Sequence, residues 1–288
     1  MSPCITPLHL TNCQGTPDDV KQLDEVIKID PQALHRPQHS ISFEFALPVM
    51  CAAEAGHAGC LELLLDRGAD VNCLGREGRR PMFYAVRAGS AECVELLASR
   101  GSPVDHITKD GSRTTLYLEQ ACQAGYGDIV RILLQRGAMS GMTMAEEEST
   151  PLNLAVAEGH PSCVKWLLLY GADRAEARLR NDVLKLISNP QSCKGTPEAR
   201  EEMLTIMHEL GINIRSWVLP LRKRGADRLA AHVQTLLRNP RTLQSACRVT
   251  VRRALGHRHY TQQLRELRVP PYFRSILDSR LNSYLHYQ

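Results

Sequence analysis

Cysteine, histidine and carboxylate side chains are the groups of this 288-residue chain most able to do chemistry, and it carries ten cysteines, eleven histidines and 31 carboxylates. Their spacing argues against catalysis. No C-x-x-C pair and no zinc-ligand spacing occurs among the cysteines. Nor is there a glycine-rich phosphate loop, a G-x-S-x-G elbow or a carboxylate pair in a catalytic setting. Cys60, Cys93 and Cys163 instead each stand four residues after a glycine (Gly56, Gly89 and Gly159), and Ile129 holds the same place after Gly125. A position that accepts cysteine and isoleucine alike is a packing position. These thiols are therefore expected to be buried and reduced, as in a cytosolic or nuclear protein. His57 and His160 directly follow two of those glycines, where a histidine is expected to tie a turn. The expectation is a chain with no catalytic residue, no metal and no cofactor.

Arginines cluster between Arg215 and Arg258, which raises the question of nucleic acid. The formal net charge is only +4, however, and the basic residues lack the regular interleaving of aromatics that base stacking needs. No run of about 18 apolar residues exists, so no membrane-spanning helix is expected. The N-terminal MSPCITPLHL does not place a charged region before an apolar one, as a secretory signal would. A cytoplasmic location is expected, with the nucleus also open.

The four glycines belong to a repeat. Gly56, Gly89, Gly125 and Gly159 follow one another at steps of 33, 36 and 34, and Gly68, Gly101, Gly137 and Gly171 keep the same steps behind LLLDRG, LLASRG, LLQRG and LLLYG. A period near 33 made of turn, helix, short loop and helix is a solenoid signature. Small residues (Ala52, Ala53, Ala55, Ala85, Ala88, Ala155, Ala157) fill the first helix of each unit and permit close approach. Leu61, Leu64 and Leu65 give the second helix an apolar face at i, i+3, i+4 spacing. One unit has nothing to bury that face against, whereas stacked units share a core. The third copy, TTLYLEQACQAG, is longer by the equivalent of Glu119 and Gln120, so its first helix is expected either to begin earlier or to carry a bulge.

Over Pro48 to Asp173 these motifs resemble the ankyrin-repeat family and its TPLHLAAxxGH…LLLxxGAdvN line. The resemblance implies an all-α fold: an ankyrin-repeat solenoid of about five to six repeats, the first and last degenerate, followed by a C-terminal helical module. Pro3 to Ile29 reads as the degenerate first unit and PQALHRPQHSIS as a linker or inserted loop. Helices at Asn181 to Ile187 and Pro197 to Leu210 read as a stretched last unit ending near Gly211. The expected organisation is an array over residues 1–213, strongest over 48–173, a helical connector over 214–240 and a separate module over 241–288. Polar hairpin segments join the units. Arg76, Arg79, Arg80, Lys109 and Arg113 mark the first two, against Glu146, Glu147 and Glu148 in the third, and these are the candidate substrate-binding residues.

From Arg241 the pattern changes. Leu243, Cys247, Val251 and Leu255 recur every four residues, opposite Arg248, Arg252 and Arg253, and a helix this short is marginal without a partner. TLQSACRVTV matches the elongin-binding pattern of a SOCS box: Ser, Thr or Pro, then Leu, three residues, Cys, three residues and an apolar residue. Leu267, Arg268, Val269 and Pro270 then stand where that family reads Leu-Pro-apolar-Pro, with Arg268 in place of the first proline. Together the two parts resemble the ankyrin-repeat and SOCS-box proteins, substrate receptors of cullin-RING ubiquitin ligases. The resemblance implies that Thr242, Leu243, Cys247 and Val251 contact elongin C, and that Leu267, Val269 and Pro270 contact a cullin of the cullin-5 type. The implied partners are elongin B, elongin C, the cullin-RING scaffold and a protein substrate. The competing expectation is an ankyrin scaffold without ligase function, its terminal helix folded onto the last repeat.

Overall fold

A computed structural model describes residues 16–35, 47–75, 78–107, 113–114, 116–138, 150–170 and 183–239. The chain forms two compact units, Met1–Met139 and Ser140–Gln288. The first contains α1 (Pro17–Ile29), a 3-10 turn (Pro31–His35), α2 (Pro48–Ala55), α3 (Ala58–Asp66), α4 (Pro81–Ala88), α5 (Ala91–Ser99), β1 (His106–Ile107), β2 (Arg113–Thr114), α6 (Leu116–Ala124) and α7 (Gly127–Gln135). The second contains α8 (Pro151–Glu158), α9 (Pro161–Leu169), α10 (residues 183–188), α11 (Pro197–Glu209), a 3-10 turn (Arg215–Trp217), α12 (Val218–Lys223) and α13 (Asp227–Arg238). The fold is all-α apart from one small antiparallel ladder, in which His106 pairs with Thr114 and Ile107 with Arg113.

The local chemistry of the helices repeats with the sequence. Proline occupies the first turn of α2, α4 and α8, where its missing N–H is not needed and its fixed φ suits the helix. Each of these helices, and α6 as well, ends at a left-handed glycine, and the residue after it reaches back five positions. His57 N–H donates to Ala52 O at 3.0 Å, Ser90 to Ala85 at 3.2 Å, Tyr126 to Ala121 at 3.0 Å and His160 to Ala155 at 2.9 Å. The two histidines thus tie the turn through the backbone, and their side chains make no capping bond. Two of the glycines answer a second demand. A Cβ on Gly89 would come within 2.7 Å of the Tyr126 ring, and one on Gly159 would lie 2.1 Å from Gly195 Cα, where two backbones touch.

Packing follows the expected columns. Cys60, Cys93, Ile129 and Cys163 are all fully buried, as are Leu61, Leu64, Leu97, Leu133 and Leu167, while Leu65 is only half-buried. In the first unit α2 packs on α4 and α4 on α6, and behind them α1, α3, α5 and α7 pack in succession. The longer third copy is absorbed without a bulge: α6 is an unbroken helix of 9 residues against 8 for α2 and α4, and the remaining surplus lies in the preceding hairpin segment.

In the second unit the segment 189–196 is fixed to α8. The Cys193 thiol donates to Val156 O at 3.1 Å, Lys194 N–H to Ala157 O at 2.7 Å, and Gly195 lies on Gly159. The stretch read as a connector is a helix pair in which α13 packs on α11 and α12 packs on α13, and Trp217, Leu221, Ala230 and Val233 are buried there. His232 Nε2 lies 2.9 Å from Thr205 Oγ1, and Arg228 bridges Glu198 and Glu201 at 3.0 and 2.6 Å. Gly171, the residues before Thr16 and the whole stretch from residue 240 lie outside the described residues.

Candidate functional site

Of the expected substrate-surface residues, Arg79 and Arg80 are described in full, and they do different things. They end the first hairpin, which Gly75 and Arg79 close: Gly75 N–H donates to Arg79 O at 2.9 Å, and Gly78 N–H returns to Gly75 O at 2.9 Å. Gly75 sits so close to the Met50 sulfur and the Tyr84 hydroxyl that a Cβ there would meet each at 3.3 Å. The hairpin is thereby seated on α2 and α4. From this base the Arg79 guanidinium lies 4.2 Å above the centre of the Phe83 ring.

Arg80 turns inward. Its Nη1 donates to Asn72 Oδ1 at 3.4 Å, and its charge acts on Tyr117, a fully buried side chain of α6. Burial pushes the Tyr117 phenol up to about 12, Arg80 works against that shift and Asp105 reinforces it. Both arginines are half-buried, Arg80 reaching the polar groups where hairpin meets helix and Arg79 covering the Phe83 ring. Arg76, Lys109, Glu146, Glu147 and Glu148 lie outside the described residues, and Arg113 is described only as the ladder partner of Ile107.

The surface beside Arg79 contains residues that the charge pattern did not select. Arg87 lies 5.5 Å from the Tyr84 ring and 5.8 Å from the Phe83 ring, and it forms an ion pair with Glu54. Phe83 and Tyr84 meet edge to face with centroids 5.5 Å apart. Glu54 and Arg87 hold the same place in consecutive units, 33 residues apart, so the signal was present in the repeat register. Reading hairpin tips alone passes over it. Both rings are buried, so the outward face here is formed by the half-buried Arg79 and Arg87 above them, with Leu74 exposed at the hairpin.

A second set of charges runs along the outer helices. Arg67, Arg100 and Arg136 are the C-cap residues of α3, α5 and α7, where a cation also suits the helix dipole. Each pairs with an acid of the unit before it: Arg67 with Asp24, Arg100 with Asp66 at 2.7 Å and Glu62 at 3.9 Å, and Arg136 with Glu95. Lys28 also holds Asp24 at 2.6 Å, and that hydrogen bond is the largest influence holding the Asp24 carboxyl below its ordinary range.

Among the described residues no group of three or more His, Cys, Asp or Glu could hold a metal, and no helix is long and apolar enough to cross a membrane. The residues expected to contact elongin C (Thr242, Leu243, Cys247, Val251) and a cullin (Leu267, Val269, Pro270) lie outside the described residues.

Comparison with known proteins covers both parts of the chain. The ankyrin repeats family matches residues 8–110 and 101–176, and the SOCS box family matches residues 239–274. Ankyrin repeat and SOCS box protein 12 of Mus musculus is 38% identical over 242 residues, spanning 80% of this chain and 78% of that protein. Its Homo sapiens counterpart is 31% identical over 138 residues, 46% of this chain and 44% of that protein.

Proposed function

Since the chain belongs to the ankyrin repeat and SOCS box proteins, we propose that it is the substrate receptor of a cullin-RING ubiquitin ligase. The array holds the target protein, and the C-terminal box recruits elongin B, elongin C and a cullin of the cullin-5 type. The chain itself is non-catalytic, and ubiquitin transfer is supplied by recruited subunits. The observation that carries this reading is the SOCS box match over residues 239–274, placed behind ankyrin matches that run to residue 176. Every residue assigned to elongin or cullin falls inside that match. Support for the array as the target-binding part comes from Arg79 and Arg87, half-buried cations held over the buried Phe83 and Tyr84 rings, with Leu74 exposed at the adjoining hairpin.

In this reading Leu243 is the anchor that fills a pocket on elongin C, while Thr242, Cys247 and Val251 complete the contact. Co-expression of the full chain with elongins B and C is expected to yield a stable complex. Leu243→Ala is expected to weaken it by on the order of 2 kcal/mol or more, about thirtyfold in affinity. A natural chain that captures no elongin C would leave an ankyrin scaffold without a ligase role.

A further inference from the structure

The second unit contains a basic cleft whose described lining includes none of the residues assigned to elongin or cullin. It has a volume of about 430 Å³ and is lined by Lys185, Ser188, Asn189, Pro190, Ser192 and Arg224 together with Leu186. Two cations and the side chains of Asn189 and Ser192 line it, and none of the described residues that line it is a carboxylate. Arg222 and Lys223 add two further positive charges on the turn that carries Arg224.

The walls are fixed. Arg224 Nη1 donates to Ser188 Oγ at 3.2 Å, so the turn after α12 is tied to the end of α10, and Ser188 is itself buried. Asn189 Nδ2 donates to Ser192 Oγ at 2.9 Å, and Gln191 N–H to Asn189 Oδ1 at 2.9 Å, which sets the shape of the opposite wall. That same segment is held from behind by Cys193, Lys194 and Gly195 on α8. Pre-organised donors lose little freedom when a ligand arrives, which favours binding. A guanidinium fixed by one of its nitrogens still offers other N–H groups, and guanidinium matches the planar or tetrahedral oxygen arrays of carboxylates and phosphates.

The geometry points to a recognition pocket for an anionic group on a peptide, a carboxylate or a phosphate, with Arg224 and Lys185 as the charged contacts and Asn189 and Ser192 as the neutral ones, the Ser188 hydroxyl being taken up in fixing Arg224 and in donating to Lys185 O. The pocket deepens the substrate-receptor reading and rests on it, because it assigns a chemical class to the captured segment.

The test uses the full-length chain and three blocked tripeptides measured by calorimetry: acetyl-Gly-phosphoserine-Gly-amide, acetyl-Gly-Gly-Gly with a free carboxylate, and neutral acetyl-Gly-Ser-Gly-amide. Saturable binding of at least one anionic peptide is expected, with none of the neutral one. The doubly substituted Lys185→Gln, Arg224→Gln chain is expected to bind at least about tenfold more weakly. Arg224→Lys, which keeps the charge, is expected to retain part of the affinity. Which anion binds tells phosphate from carboxylate. Failure of both anionic peptides to bind, or equal affinity in the double variant, would overturn the pocket. Elongin C capture by the same variants is read in parallel. Its loss in the natural chain with anion binding intact would sink the ligase reading and leave the pocket standing, and the reverse result would sink the pocket alone.

Discussion

Cys51 lies buried in α2, where burial, reinforced by the Glu54 charge, pushes its thiol from an ordinary 9.0 up to about 12. Cys73 is pushed equally far by burial and by Asp70. The folded chain keeps protons that the unfolded chain loses near pH 9, so the stability tied to these thiols is intact below about pH 9 and is lost as pH rises towards about 12. Thiolate, not thiol, is the reactive species. Iodoacetamide at pH 8, read by peptide mass spectrometry, is therefore expected to spare Cys51, Cys60, Cys93 and Cys163 in the native protein and to label them in urea. The urea midpoint is expected to fall between pH 9 and pH 11. Labelling of native Cys51 at the rate of a free thiol would contradict its placement. At this scale the sequence was a good guide to packing, because Ile129 shares the cysteine column. It was a poor guide to Arg79 and Arg80. Adjacent arginines look alike in a string of letters, yet hairpin closure by Gly75 sends one over Phe83 and the other towards Tyr117.

The stacked helices of the first unit are held by unequal contributions. Leu97 of α5 is fully buried, whereas Arg100 at its C-cap is about one-third exposed and pairs with the more exposed Asp66 and Glu62. Truncating the first removes buried area and leaves a cavity; breaking the second removes a pair already screened by water. Leu97→Ala is expected to cost about 2 to 5 kcal/mol, and Arg100→Ala about 0 to 1 kcal/mol. Parallel urea unfolding of the two variants checks this, and comparable losses would show the ion pairs to be a larger support than their exposure allows. Helix boundaries were legible wherever proline opens and glycine closes a helix, as in α2, α4 and α8. The third copy was only half legible. Its surplus was visible in the spacing, but its division between a longer α6 and a longer hairpin was not, because the spacing of glycines does not encode where a helix begins.

The ligase reading makes the whole chain an adaptor, and its weakest joint on the sequence is Arg268, which stands where the family's cullin-contacting segment has proline. Arg268→Pro restricts the unbound chain and removes a flexible charge, so cullin affinity is expected to rise by roughly 0.4 to 1 kcal/mol. Leu267→Ala is expected to lower it. Calorimetry of the elongin-bound complex against the cullin N-terminal domain measures both, and unchanged affinity in the two variants would remove Leu267, Val269 and Pro270 from the cullin contact. The same adaptor contains a rule about its own growth. Arg67, Arg100 and Arg136 all reach back to an acid in the preceding unit, and all stand one residue before a glycine of the repeat. Excising one full 33-residue period between equivalent points of the first two units would therefore bring Arg100 to the place of Arg67, opposite Asp24. Unequal recombination can lengthen or shorten such an array in whole units and leave its charge pairing grammatical. The fourth unit, with Tyr170 in the arginine's place, cannot be copied forward on the same terms.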